Sequence, residues 1–136
     1  MAEDVSIEVL SVSPVESGPK DLVKGRIRAH LADDRGSLTI QGWVIGRKSR
    51  AVAVEVMQGD TVVAKTDVNL KRPEIAEKFS DVSEAGTSGF QLTLEPEQQG
   101  ETELMARAIL EDGTAAPIES VRVRASRRGL LRRLMS

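Results

Sequence analysis

The chain has no cysteine and no tyrosine, and its 136 residues hold one tryptophan, two phenylalanines and one histidine. Without cysteine there is no disulfide framework, no thiolate metal site and no thiol nucleophile. A single histidine, His30, excludes any two-histidine metal site or histidine relay. Three aromatics cannot build the row of stacking platforms that single-stranded nucleic acid requires, so no nucleic-acid partner is expected. Long apolar runs are missing too: none approaches the ~18 residues of a membrane-spanning helix. The start, MAEDVSIEVL, carries two acids and no basic n-region, unlike a secretory signal. These absences lead to the expectation of a cytoplasmic chain, at most peripheral to an inner membrane.

What is present is β-branched and aliphatic. Valine, isoleucine, leucine and alanine recur with a period of two, the alternation of a pleated strand with one buried face. Val5, Ile7 and Val9 form one such run. Val23, Gly25, Ile27, Ala29 and Leu31 form another, opposite Lys24, Arg26 and Arg28. Leu38, Ile40 and Gly42 follow the turn-like Asp33-Asp34-Arg35-Gly36. Val52, Val54 and Val56 lead through Gly59-Asp60 into Val62, Ala64, Thr66 and Val68, a hairpin whose turn needs positive φ. Phe90, Leu92 and Leu94 alternate again. The last pair, Thr102 to Leu110 and Ile118 to Ala125, is joined across Asp112-Gly113, and Pro117 suits an edge or strand-entry position. Seven or eight short strands at this spacing predict an all-β fold, an antiparallel, immunoglobulin-like β-sandwich over residues 1–125. An up-and-down or partly open barrel is the alternative. Between Asn69 and Ser88, "RPEIAEKF" is expected to form one helical turn with Pro73 at its first position. Ser80 to Ser88 reads as a surface loop.

Catalytic patterns are scarce. His30 lies on the same strand face as Arg26 and Arg28 and is expected to be solvated. There is no G-x-S-x-G elbow and no glycine-rich phosphate loop. The carboxylate pairs Asp33-Asp34 and Glu111-Asp112 sit in turns, where acids cap and solvate. Asp67-x-Asn69 lacks the glycine and terminal glutamate of a calcium loop. The expectation is a chain that is not an enzyme, with no cofactor and no metal.

Trp43 follows Gly42 in "LTIQGWVI", which is apolar in both phases near its end, as a strand covered on both faces can be. If Ile40, Gly42 and Val44 share one face, Trp43 and Ile45 occupy the other. A packing role is the first expectation, since large aromatics dominate core energetics. A partner contact or a sugar platform remains open, and Arg47, Lys48 and Arg50 read as a solvated loop. The residues assigned to binding are Trp43, Arg47, Lys48 and Arg72.

The order of features from residue 42 to 94 resembles a family of small bacterial β-sandwich modules. These accompany glycosyltransferases, methyltransferases and sulfotransferases of cell-surface polysaccharide assembly. The stretches that carry the likeness are Gly42-Trp43, "VEVMQGDTVV" from Val54 to Val63, "KRPEIAEKF" with Arg72, Pro73, Glu74, Ile75, Ala76 and Phe79, and "SGFQLTLE" with Ser88, Gly89 and Phe90. The resemblance covers about half the chain and implies no catalytic residue. It implies an accessory or interaction module whose partner is a protein or an adjacent enzyme domain. A carbohydrate-binding module built on Trp43 and nearby loops is the second reading. In physical terms, Pro73 sets the turn, Arg72 pairs with an acid or caps carbonyls, Ala76 and Phe79 tuck against the sheet, and Gly89 permits the entry that buries Phe90.

Charge is uneven along the chain. Residues 124–136 hold five arginines and no acid, leaving 14 basic against 21 acidic residues elsewhere, a net of −7. The end, 126–136, "SRRGLLRRLMS", reads as a basic amphipathic helical tail or linker. Leu130, Leu131, Leu134 and Met135 share an arc, and Arg128, Arg132 and Arg133 face away. With Arg127, these arginines form the tail contact expected for a weak anionic-membrane attachment, which makes a peripheral adaptor the third reading.

Overall fold

The computed structural model describes residues 5–15, 22–31, 37–95 and 100–127, with the backbone alone at residues 5, 6, 126 and 127. Eight strands follow in order: β1 (Val5–Pro14), β2 (Val23–Leu31), β3 (Leu38–Gly46), β4 (Ala51–Gln58), β5 (Thr61–Asp67), β6 (Gly89–Leu94), β7 (Gly100–Leu110) and β8 (Ala115–Arg127). They form two antiparallel sheets, a five-stranded one of order β1-β8-β7-β4-β5 and a three-stranded one of order β2-β3-β6. Counted from β2, this grouping is the A-B-E and G-F-C-C′ arrangement of an immunoglobulin-like sandwich, with β1 added against the last strand. The expected all-β sandwich is what forms.

Local sequence sets the hairpins. Gln58 and Thr61 pair across Gly59-Asp60, and Gly59 takes φ 60, as the first position of a primed turn demands. At the β7–β8 corner Gly113 takes φ 90 after a turn closed by its N–H to the Leu110 carbonyl at 2.9 Å. Thr114 N–H then donates to the Asp112 carboxylate at 2.9 Å. That bond, with the Thr114 hydroxyl, holds the Asp112 carboxyl below its ordinary value.

The main core lies between the sheets. Ile27, Leu38, Ile40, Val44, Phe90 and Leu92 face Ile7, Val54, Val56, Leu104, Val121 and Val123. Two irregularities change the expected alternation. A register shift between Ala51 and Ala53 turns Val52 out to solvent and puts Ala51 into the core. A second shift, between Val56 and Met57, precedes the exposed Val62 at the tip of the edge strand β5. Pro117 is not in an edge strand, because β8 runs between β1 and β7. It is tolerated because β1 ends opposite Glu119, so no β1 residue pairs with it, and because it sits at a register shift opposite Arg107.

β8 continues two residues past the expected boundary at Ala125, pairing Ser126 with Ser6 and Arg127 with Val5. The amphipathic tail from Arg128 onward, with Arg132 and Arg133, lies outside the described residues.

Candidate functional site

The three-stranded sheet has an outer face, and register defines it. Across β2, β3 and β6 the rungs are Arg26–Trp43–Gly89, Arg28–Gln41–Gln91 and His30–Thr39–Thr93, with Lys24 opposite Ile45 at the near end. Residues in register point to the same side of a sheet, and this side is opposite the one that carries Ile27, Ile40 and Phe90 into the core.

One end of that face is roofed. The short helix α1 (Pro73–Lys78) begins with Pro73 at its first turn, and a 3₁₀ turn spans Ser83–Thr87. Ile75 from the helix and Ala85 from the turn pack on Trp43 and Ile45, with Phe79 and Val82 beside them, forming a second apolar cluster separate from the main core. Trp43 is 8% exposed, and its ring lies 5.5 Å from that of Phe79 at 46°. Trp43 therefore packs, as expected, but its contacts lie outside the sandwich, not between the sheets. Ile75, rather than Ala76, is the helix residue driven into the sheet; Ala76 packs beneath Gly86. Ser80 to Ser88 is more than a surface loop, since Ala85 and Ser88 are buried. The Ser88 hydroxyl donates to the Ala85 carbonyl at 2.6 Å, and Arg72 N–H bonds to the Gly86 carbonyl at 2.8 Å. Burying Trp43 requires this roof.

The "RP" and "GF" motifs meet here. The side chain of Arg72 crosses Gly89, where an added Cβ would lie 2.8 Å from Arg72 Cγ, so glycine keeps this passage open. Arg72 Nε donates to Glu74 at 2.6 Å. The Glu74 carboxyl is held below its ordinary value, first by its own backbone N–H and then by Arg72.

Beside the roof the outer face opens into a cleft of about 490 Å³ lined by Arg26, Arg28, Gln41, Trp43, Arg72 and Glu74. On the other flank, Lys24, Arg47, Phe79, Val82 and Glu84 line a second cleft of about 440 Å³, with Lys24 Nζ 5.0 Å from the Phe79 ring centre. Of the four residues assigned to binding, Trp43 and Arg72 are brought together in the first cleft, Arg47 lines the second, and Lys48 is exposed in the bend after β3.

Neutralisation differs between the two sheets. On the five-stranded sheet Arg107 donates to Glu55 at 2.7 Å, while Arg122 and Arg124 face Glu103 and Glu101 at 3.8 and 3.6 Å. On the three-stranded face Arg26 reaches only the buried Glu119, at 4.0 Å, with its own side chain 75% exposed. Among the described residues Arg28, Lys24 and His30 have no acidic partner. Glu119 is engaged elsewhere: its Oε1 accepts the Ile27 backbone N–H at 2.8 Å, tying β8 of one sheet to the edge of the other.

Arg26, Arg28 and Gln41, which line the first cleft, are not among the residues that the sequence assigned to binding. The signal was the alternation Lys24, Arg26, Arg28, His30, which looked like any solvated strand face. Among the described residues no group of three His, Cys, Asp or Glu side chains is placed to hold a metal ion. No described helix is long and apolar enough to cross a membrane. No protein-family model and no curated protein matches the chain.

Proposed function

We propose that the chain is a non-catalytic binding module whose working surface is the outer face of the three-stranded sheet, at the cationic cleft where the roof over Trp43 ends. The observation that carries this reading is charge left largely without neutralisation: among the described residues Arg28 and Lys24 on β2 have no acidic partner and Arg26 reaches only Glu119 at 4.0 Å, whereas Arg107, Arg122 and Arg124 of the five-stranded sheet each face an acid. In a body of net −7, a cationic row kept exposed beside a formed cleft is suited to an anionic group brought by a partner. Guanidinium forks bind carboxylate, sulfate and phosphate in a planar, bidentate way. With Trp43 roofed by Ile75 and Phe79, the indole supports the site as a wall instead of serving as a stacking platform. The resemblance to modules that accompany enzymes of bacterial surface-polysaccharide assembly supplies the setting: an accessory role beside an enzyme, in which this module binds and the enzyme performs the chemistry.

The test is a titration with inorganic sulfate followed by amide and side-chain NMR. Arg26, Arg28 and Gln41 are expected to shift together and saturably, while Arg122 and Arg124 stay in place. Shifts spread evenly over all arginines would refute the reading, because they would report screening and not a site.

A further inference from the structure

Resting on that reading, we infer that the ligand of this face is an acidic polysaccharide, a chain bearing uronate-type carboxylates among hydroxyls. The row Lys24, Arg26, Arg28 repeats at about 6.7 Å along β2, so the cationic edge extends roughly 13 Å, longer than any single small anion. Beside it, on strands ~4.8 Å apart, Gln41 and Gln91 present amides, and at the far rung the hydroxyl of the exposed Thr93 shares a 3.1 Å hydrogen bond with that of Thr39. Amides and hydroxyls both donate and accept, which suits sugar hydroxyls, whereas guanidinium only donates and suits carboxylate. The face thus matches a ligand with both kinds of group in alternation.

Other occupants fit less well. Protein interfaces are anchored by apolar or aromatic side chains in pockets, and the open rungs carry none, because the apolar residues of this face are under the roof. Single-stranded nucleic acid needs free aromatic faces, and the indole of Trp43 is covered by Phe79. A membrane surface would need apolar groups able to insert, which these rungs also lack.

The experiment uses the full chain and sodium polygalacturonate as probe, with binding read by titration calorimetry at low salt. Neutral dextran, poly-glutamate, oligo-thymidylate and anionic phosphatidylserine vesicles are the comparison arms. Polygalacturonate is expected to bind and dextran not to. Arg28→Ala is expected to weaken binding by roughly tenfold or more, the scale of a lost charge-assisted bond. Gln41→Ala should weaken it at unchanged charge, and Arg122→Ala on the other sheet should leave it intact. Circular dichroism of each variant establishes folding, and Arg28→Lys, which keeps the charge and loses the fork, is expected to fall between parent and alanine. Binding that follows Arg122 as much as Arg28, or that is indifferent to Gln41, overturns the inference. So does equal or tighter binding of poly-glutamate, oligo-thymidylate or vesicles. If sulfate still titrates Arg28 and Gln41 while polygalacturonate does not bind, the binding-module reading stands and the polysaccharide falls.

Discussion

Replacing Trp43 with alanine tests whether the roof is part of the folded domain. A large aromatic buries ~150–250 Å² of surface, and at 8% exposure nearly all of it is removed from water. At ~25 cal/mol/Å² that burial contributes roughly 3.5–6 kcal/mol, in line with the ~3–5 kcal/mol lost when buried aromatics are cut to alanine. Domains of this size are stable by only ~5–15 kcal/mol, so the loss is a large share of the total. Because Trp43 contacts Ile75, Phe79 and Ala85 and not the main core, the roof should undock first, and Arg72 should lose its seat over Gly89. Urea unfolding followed by far-ultraviolet circular dichroism suits a variant with no tryptophan left. With a slope of ~1–3 kcal/mol/M the midpoint should fall by at least about 1 M. Phe90→Ala, in the main core at 1% exposure, should lose a similar amount without undocking the roof first. A Trp43→Ala midpoint within ~0.3 M of the parent, or parental fluorescence that is red-shifted and readily quenched by acrylamide, would refute the packing argument.

Glu119→Ala should cost about 1–3 kcal/mol, since it leaves the Ile27 N–H without its buried acceptor. Glu119→Gln keeps an acceptor and should cost less; equal losses in chemical denaturation would show that the bond contributes nothing. The depressed Asp112 carboxyl stabilises the β7–β8 turn in its ionised form, so its contribution is complete above its ordinary value of 3.8 and lost as pH falls through the lowered one. The melting-temperature gap between the parent and Asp112→Asn should therefore be present at pH 7 and close in acid; a gap that widens in acid would show the opposite shift. Deleting residues 128–136 should leave the melting temperature unchanged, because the register of β8 with β1, from Pro14 opposite Glu119 to Val5 opposite Arg127, lies wholly within the remaining chain. A clear drop would show that Leu130, Leu131 and Leu134 belong to the packed domain. His30→Ala should shift stability by less than about 0.5 kcal/mol, as exposed sites do, and a larger loss would place His30 in contacts that its exposure argues against.

Much of the architecture was legible because strand and turn signals are local. Period-two alternation marks all eight strands. Gly59-Asp60 and Asp112-Gly113 mark the hairpins, since a positive φ is a property of one residue and its neighbours. Pro73 marks the helix start in the same way. The bulge that turns Val52 outward was not legible, because it is a mismatch between β4 and β7, and neither strand shows it alone. The roof was half legible: Pro73, Ala76 and Phe79 announced a packed turn, but that Ile75 is the residue driven in, and which sheet face the turn covers, depended on the three-stranded sheet being a separate layer. Nor could any pattern along the chain join Ile27 to Glu119, 92 residues apart. The site divides in the same way. Lys24, Arg26, Arg28 and His30 alternate plainly in the sequence, which determined that they share a face. That Arg28 and Lys24 have no acidic partner among the described residues, while Glu55, Glu103 and Glu101 face Arg107, Arg122 and Arg124 on the other sheet, was decided only by tertiary pairing. Charge is carried by residues, but its neutralisation depends on distance, and distance between strands is set by the fold.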